Sequence, residues 1–286
     1  MPSSVRIRSR NRTRPRREPR HRFCRCPYRI RSAPERAGAS SSALKIALRL
    51  LCDRIADANK GRWNAECTSC YRFDVYGTLV TTPPANAKAF QAILRHAGAT
   101  DIDPLSFYNF WESRNIAHYV EPYRSYKAIC RTSLADAFAH FNVGGADASL
   151  IEHFFAACKD MQLYPDVLPT LEALRKSYRI ALVSNIDDDL LQSTSIPFEF
   201  DLVCTAERAK GYKPDGTLFR YLLEHSGLHV DEILHSGQSQ FTDFVGAKPL
   251  GLTVAWINRR GLRLSPDVPP PDHILADIAS LPGVLN

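Results

Sequence analysis

The sequence predicts an α/β fold, in which a doubly wound parallel sheet forms the core and a helical domain is inserted after the first strand. From residue 164 onward, short apolar runs alternate with helix-like segments, and strands separated by helices pair in parallel. Residues 83–160 instead carry helical periodicity with few strand signals. The chain has 286 residues, 44% of them hydrophobic, which is enough to build both parts.

The strands are predicted from apolar runs bounded by turn residues. The first strand ends at Asp74, because residues 73–79 look like the end of a buried strand and its turn. The later strands are predicted at residues 180–183, 202–204, 233–235 and 252–257. Helices are predicted from Pro165 to Leu174, around 218–225 and around 243–248. Sheets built from such repeats bind ligands at the carboxyl ends of their strands.

Two apolar stripes with helical spacing run through the insert. The first contains Tyr126, Ile129, Cys130, Leu134, Ala137, Phe138 and Phe141, and the second contains Leu150, Ile151, Phe154, Phe155 and Cys158. We interpret both stripes as the core of a small helical bundle. The resulting domains are a helical domain at 83–160 and an α/β core at 71–82 and 161–286.

The first seventy residues differ in composition from the rest of the chain. They carry 18 Lys and Arg against 5 Asp and Glu, a net charge of +13, and the remaining residues carry −6. Residues 1–40 hold 13 arginines and too little apolar surface to fold, so we predict that residues 1–70 are a disordered Arg-rich segment. Residues 66–72 fit a buried strand badly, which suggests the hypothesis that residues 1–70 are a gene-model artefact. Sequencing the 5′ end of the transcript tests it.

Charge and hydropathy restrict the partners and the location. Because the positive charge lies in residues 1–70, the folded part offers no basic cluster, and we expect no nucleic-acid partner. No stretch approaches the roughly 20 apolar residues that span a membrane, so no membrane partner is expected. The eight cysteines show no disulfide-like spacing and the chain begins with no apolar signal core, which predicts a cytoplasmic protein. A mitochondrial location follows instead if the Arg-rich segment is a transit peptide.

Polar side chains stand where successive predicted strands end. They are Asp74 after the first strand, Ser184 and Asn185 after the second, Lys213 in a later loop, and Gln238, Ser239 and Asp243 after the strand at 233–235. Each alone has an ordinary explanation, since an Asp at a strand end often only caps a helix. Parallel strands bring their carboxyl ends to one edge of the sheet, so together these residues predict a catalytic site.

Four motifs make the sequence resemble the haloacid dehalogenase superfamily. They are residues 73–79 (Phe-Asp-Val-Tyr-Gly-Thr-Leu), Ser184-Asn185, residues 212–215 (Tyr-Lys-Pro-Asp) and, more loosely, residues 237–247. The resemblance covers roughly residues 73–286 and implies a Rossmann-like core with the helical insert as its cap domain. The segment 256–259 (Trp-Ile-Asn-Arg) resembles the type II 2-haloacid dehalogenases in particular.

The resemblance implies a hydrolase that displaces halide from a small 2-halo carboxylic acid. Asp74 would attack the carbon that bears the halogen, and water would then cleave the aspartyl ester. The resemblance also implies that Lys213 keeps Asp74 ionised, that Ser184 fixes its geometry, and that Asp243 positions or activates the water. Asp74, Lys213, Asp243 and Ser184 are thus the expected catalytic residues. The residues expected to bind substrate are Tyr76, Thr78, Asn185, Arg114, Gln238 and Ser239.

No cofactor or metal is expected for this reaction. Phosphatases of the superfamily carry a second carboxylate two residues after the nucleophile, where this chain has Tyr76. They carry an acidic Mg²⁺ ligand where this chain has Gln238. A divalent ion would have only Asp74 and Asp243 as carboxylate ligands, so Mg²⁺ belongs to the alternative of a Mg²⁺-dependent phosphatase. A catalytically silent binding protein with the same fold is a third hypothesis.

One departure from the resemblance concerns the cation that binds the substrate. Type II dehalogenases place an arginine directly after a cap-domain tryptophan, but Trp111 is followed by Glu112. Arg114, two residues further on, either replaces that arginine or forms a surface salt bridge. His235 ends a predicted strand near the site, and we interpret it as a packed histidine without a catalytic role. The expected partner is a small carboxylate substrate, and dimers among related dehalogenases raise the hypothesis of a homodimer.

Overall fold

The computed structural model describes residues 69–284. The predictions for residues 1–68, their disorder and their origin, lie outside the described residues. The strands are β1 (Cys70–Phe73), β2 (Val80–Thr81), β3 (Gln162–Leu163), β4 (Arg179–Ser184), β5 (Leu202–Thr205), β6 (Ile233–Gly237), β7 (Thr253–Ile257) and β8 (His273–Leu275). The helices are α1 (Pro83–His96), α2 (Pro104–Ala117), α3 (Tyr126–His140), α4 (Glu152–Ala157), α5 (Val167–Leu174), α6 (Asp188–Ser193), α7 (Ala206–Ala209), α8 (Thr217–Ser226) and α9 (Val245–Ala247).

Six of the strands form one parallel sheet in the order β5-β4-β1-β6-β7-β8. The predicted α/β fold with a parallel sheet is therefore confirmed. The middle strands are apolar because helices cover both faces of the sheet, and Ile180 to Val183 of β4 are all buried. β8 was not predicted, since it is a short edge strand of three residues that are only partly covered. The helix predicted around 243–248 begins as a π-helical turn, Gln240–Phe244, and continues into α9.

β1 lies in the middle of the sheet and pairs with β4 on one side and β6 on the other. The expectation that the residues before Asp74 fit a buried strand badly was wrong for Cys70 to Phe73, because both neighbouring strands bind their backbone. Tyr71 and Phe73 join the apolar core, and the Tyr71 hydroxyl donates to Leu281 O over 2.8 Å. Arg72 is the exception: it is fully buried, and none of its guanidinium nitrogens has a hydrogen-bond partner in the described part of the chain.

The segment from α1 to α4 is helical, as predicted for residues 83–160. Its buried aromatic side chains pack on one another, and they include Phe90, Phe107, Trp111, Phe138 and Phe154. Both predicted stripes contribute to this core, with Phe141 and Leu150 only partly buried at its margin. Trp111 is anchored further, because its indole Nε1 donates to Cys130 O over 3.1 Å.

The chain enters and leaves the helical insert side by side. β2 precedes α1 and β3 precedes α5, and the two strands pair antiparallel, Val80 with Leu163 and Thr81 with Gln162. The Tyr164 N–H donates to Leu79 O and extends this pairing. The insert is therefore connected to the α/β core through one short two-stranded ribbon. Among the described helices, none has the length and apolar character that a membrane crossing requires.

Candidate active site

Asp74 lies at the carboxyl end of β1 and is almost fully buried. Its backbone N–H donates to Ser236 O of β6 over 2.9 Å, which continues the pairing of the two strands. The chain then turns at Gly77, whose φ of +83° lies in the region that favours glycine. This turn returns Thr78 to the carboxylate, where Thr78 Oγ1 donates to Asp74 Oδ2 over 2.9 Å. One oxygen of Asp74 is thereby fixed by its own loop.

Lys213 binds the other oxygen of Asp74. Its ammonium Nζ lies 2.5 Å from Asp74 Oδ1 and 2.7 Å from Asp243 Oδ1, and its side chain is 2% exposed. The loop that carries Lys213 is held from the neighbouring strand end, because the Lys213 backbone N–H donates to Asn185 Oδ1 over 2.9 Å. The structure thus brings together the predicted nucleophile, the predicted lysine and the predicted second carboxylate.

Asp243 is fully buried on the π-helical turn Gln240–Phe244. Its Oδ2 accepts from the Ser239 backbone N–H over 2.9 Å, and its Oδ1 accepts from both Lys213 Nζ and His235 Nε2. The carboxylate sits directly against Gly237, where an added Cβ would lie 2.2 Å from Asp243 Oδ2. A glycine is therefore required at the end of β6 for the turn to close on the site.

The three charged groups differ in how strongly their charge is compensated. Burial raises the pKa of Asp74, and the opposing ammonium of Lys213 does not cancel this effect. Burial acts in the same direction on Asp243, but there Lys213 and the His235 hydrogen bond hold the pKa well below its ordinary value. The pKa of Lys213 is raised, because its two carboxylates outweigh the opposite effect of its own burial. Asp74 is thus the less stabilised anion of the pair, which suits a nucleophile.

Ser184 and Asn185 end β4 beside this cluster. Ser184 Oγ and Asn185 Nδ2 are buried and have no hydrogen-bond partner in residues 69–284. Buried polar atoms without partners are uncommon and are found where a ligand or water completes the site. These two groups, at the end of the strand that neighbours β1, are therefore available to a ligand.

The hydroxyl proton of Tyr76 is engaged by a neighbouring threonine. Its hydroxyl lies 2.8 Å from Thr194 Oγ1, and Thr194 Oγ1 itself donates to Leu190 O over 3.0 Å. Because a threonine has one hydroxyl proton, Tyr76 is the donor of the shared bond. Burial raises the pKa of Tyr76 far above its ordinary range. Two residues after Asp74, the chain therefore presents a neutral aromatic ring whose proton is already engaged.

Gln238 and Ser239 shape the site from the β6 side. The Gln238 side chain packs against Gly77, where an added Cβ would lie 2.4 Å from Gln238 Oε1, and its backbone oxygen accepts from Trp256 Nε1. Ser239 Oγ accepts from the Thr242 N–H over 3.2 Å and so caps the π-helical turn. The Ser239 hydroxyl oxygen thus supports the turn, and the substrate binding expected of this residue stays a prediction.

Arg114 lies in the surface salt bridge that was the alternative to substrate binding. Its Nε donates to Asp136 Oδ2 over 2.9 Å, with 43% and 36% of the two side chains exposed. The pair joins α2 to α3 within the helical insert. Arg259 has a role that the residues alone did not indicate: it binds Asp166 through two nitrogens and donates from Nε to Thr78 O. It therefore supports the loop that follows the nucleophile.

His235 was placed near the site by the sequence, but its contact with Asp243 was not predicted. The sequence signal was only a histidine within an apolar strand, and its partner Asp243 lies eight residues away, after a turn. The structure places its ring fully buried, with one nitrogen on Asp243 and the edge of Phe219 against it.

The donor set around Asp74 does not fit a magnesium ion. Mg²⁺ needs oxygen ligands in near-octahedral geometry, but Asp243 Oδ1 is shared by Lys213 and His235, and its Oδ2 is bound by a backbone N–H. Gln238 supplies an amide where the phosphatases of the superfamily carry an acidic ligand. Among residues 69–284, no group of three or more His, Cys, Asp or Glu side chains is arranged to hold a metal.

Curated relatives include both dehalogenases and phosphatases. (S)-2-haloacid dehalogenase 4A of Burkholderia cepacia is 25% identical over 199 residues, 66% of this chain and 82% of that protein. N-acylneuraminate-9-phosphatase of Homo sapiens is 24% identical over 235 residues, 75% of this chain and 92% of that protein. The two activities thus stand side by side among the relatives.

The fold is also found among solved structures. L-2-haloacid dehalogenase from Xanthobacter autotrophicus has a TM-score of 0.63 at 20% identity, with 76% of this chain and 98% of that chain covered. A likeness at this identity concerns the fold alone. The model of the haloacid dehalogenase-like hydrolase family matches residues 71–257. On the match to the family model, this chain belongs to the haloacid dehalogenase-like hydrolases.

Proposed function

We propose that the protein is a dehalogenase that displaces halide from a small 2-halo carboxylic acid through an ester on Asp74. The observation that carries this proposal is the partly buried Tyr76, two residues after Asp74, whose hydroxyl proton is engaged by Thr194. Transfer of a phosphoryl group needs an acid at this place to protonate the leaving alcohol. Halide leaves as a stable anion and needs no proton.

The reaction has two steps that balance without a further reactant. In the first, an Asp74 oxygen forms a bond to the carbon that bears the halogen, and the carbon–halogen bond breaks to release halide. In the second, water attacks the carbonyl carbon of the ester. The bond between this carbon and the ester oxygen breaks, and a 2-hydroxy acid is released with one proton. Asp74 returns to its carboxylate form, carrying one oxygen from water.

The neighbouring residues take roles that follow from their contacts. Lys213 and Thr78 orient the two oxygens of Asp74, and Lys213 also favours its ionised form. Ser184 Oγ and Asn185 Nδ2 offer hydrogen bonds to the substrate carboxylate. Asp243 orients Lys213; its low pKa and its three hydrogen bonds make it a poor acceptor for a proton from water.

A phosphatase is the second candidate, because the human phosphatase aligns with most of this chain. Its chemistry would require a metal ion near Asp74, and the engaged oxygens of Asp243 together with the amide of Gln238 argue against one. A catalytically silent binding protein is the third candidate.

One experiment separates the three candidates. Halide release from 2-chloropropionate is compared with phosphate release from a generic phosphate ester, each with and without EDTA. We expect halide release that EDTA does not change, and an Asp74→Asn variant that folds but retains less than about a hundredth of the activity. Mg²⁺-dependent phosphate release without halide release would favour the phosphatase, and neither release would favour the silent protein.

A further inference from the structure

His235 is a fully buried histidine that the proposed reaction does not use. It lies within β6, and its imidazole Nε2 is 2.9 Å from Asp243 Oδ1. The ring is fixed from the side by Phe219, whose centroid is 4.8 Å away at an interplanar angle of 80°. A polar ring held in this way in the sheet core has one orientation available to it.

The contacts of the ring define which nitrogen carries the proton. Asp243 is ionised and offers only lone pairs, so His235 Nε2 is a donor. His235 Nδ1 is buried and has no hydrogen-bond partner in the described residues. A second proton there would leave a charged N–H without an acceptor, which is costly inside a protein. The neutral ring with its proton on Nε2 fits these contacts.

The same oxygen of Asp243 also accepts from Lys213. His235 Nε2, Asp243 Oδ1, Lys213 Nζ and Asp74 Oδ1 thus form an unbroken chain of contacts of 2.9, 2.7 and 2.5 Å. Rotation of the Asp243 carboxylate would move one of the two carboxylate oxygens that bind the Lys213 ammonium. The Ser239 N–H holds Oδ2, and His235 Nε2 holds Oδ1.

We propose that His235 is a positioning residue, which fixes the Asp243 carboxylate so that Lys213 holds Asp74 in the orientation for attack. His235 does not touch the substrate and transfers no proton. The inference rests on the proposed function, because its kinetic test measures the release of halide.

Three substitutions test the donor nitrogen. In His235→Gln the amide N–H reaches the position of the imidazole Nε2, in His235→Asn it reaches only that of Nδ1, and His235→Leu has no donor. We expect kcat for 2-chloropropionate to fall about 100-fold in the Leu and Asn variants with KM nearly unchanged, because a misplaced reacting group has an effect of this order. The Gln variant should retain kcat to within about threefold. Thermal unfolding of all three variants checks that the fold persists.

Two results would overturn the proposal: a Leu variant with the kcat of the wild type, or a Gln variant that loses as much activity as Leu. A change confined to KM would also count against it.

A measurement without turnover uses the ¹⁵N resonance of the Lys213 ammonium, assigned with a Lys213→Met variant. It should shift in His235→Leu and remain in place in His235→Gln. If the wild type releases no halide, the proposed function fails, whereas an unshifted resonance in His235→Leu defeats the positioning role itself.

Discussion

Tyr212 stacks on Tyr119 across the boundary between the α/β core and the helical insert, with ring centroids 4.6 Å apart and planes within 15° of parallel. The Tyr212 hydroxyl also donates to Arg124 O of the insert over 2.7 Å. Tyr212 directly precedes Lys213 in the chain. The position of the insert is thereby linked to the loop that carries the lysine.

Removing the Tyr212 ring should both destabilise the protein and slow it. We expect Tyr212→Ala to lower the free energy of unfolding by about 3 kcal/mol, because the ring is buried at this contact. We also expect kcat to fall by up to about 100-fold as Lys213 loses its support. Tyr212→Phe is the matched control: it keeps the stack and loses one hydrogen bond, at about 1 kcal/mol. Urea unfolding and halide release measure the two effects, and an Ala variant with normal kcat would disprove the link.

The activity should depend on the ionisation of Asp74. Burial raises its pKa above the ordinary value of 3.8, and only the carboxylate form attacks, so kcat/KM should be lost as the pH falls through this raised pKa. Thr78→Val removes a hydrogen bond that lowers the pKa and should move the acid limb to higher pH. A pH profile of halide release for both proteins is the measurement. An acid limb at or below the ordinary value would contradict the assignment of Asp74.

Restoring the phosphatase pattern should impair dehalogenation. A double variant, Tyr76→Asp with Gln238→Asp, places two new anions near Asp74, which repel an anionic haloacid and attract a cation. We expect halide release to fall about tenfold or more, since a like charge at close range costs on the order of 1–4 kcal/mol. Tyr76→Phe, which loses only the bond to Thr194, is the control and should retain most activity. Unchanged halide release in the double variant would show that neither position faces the substrate.

Arg72 should be a source of instability. Its guanidinium is buried in the middle of the sheet beside the Cys70 thiol and in no ion pair among residues 69–284, and burial lowers its pKa. We expect Arg72→Leu to raise the free energy of unfolding by about 3 kcal/mol, as when a buried charge is replaced by an apolar side chain. Arg259→Leu is the matched comparison with the opposite sign, because Arg259 binds Asp166 through two nitrogens; the expected loss is about 2 kcal/mol. Chemical denaturation measures the free energy of unfolding of both variants. A destabilised Arg72→Leu would mean that the arginine has a stabilising partner in the folded chain.

The parallel sheet and the cluster of Asp74, Lys213 and Asp243 could be predicted because each depends on local patterns: apolar runs, and polar residues where those runs end. The part of β1 before Phe73 could not, because Arg72 breaks the apolar pattern and the strand forms through its backbone bonds to β4 and β6. His235 could not either, because its role depends on the turn that returns Asp243 to the same strand end. The sequence left two roles for Arg114, substrate binding and a surface salt bridge. Its distance to Asp136 shows the salt bridge.

The ribbon of β2 and β3 has a consequence for how the family can diversify. Because both crossings between the two parts lie next to each other, the ends of the insert meet at one point of the core surface, as in domain insertions that are tolerated without refolding of the host. We expect an insert joined at residues 81 and 162 to be exchangeable only where its own residues replace the contacts that Tyr119 and Arg124 make with Tyr212. A chimera that carries the insert of a phosphatase relative on this core would show how far the reaction at Asp74 depends on the helices packed beside it.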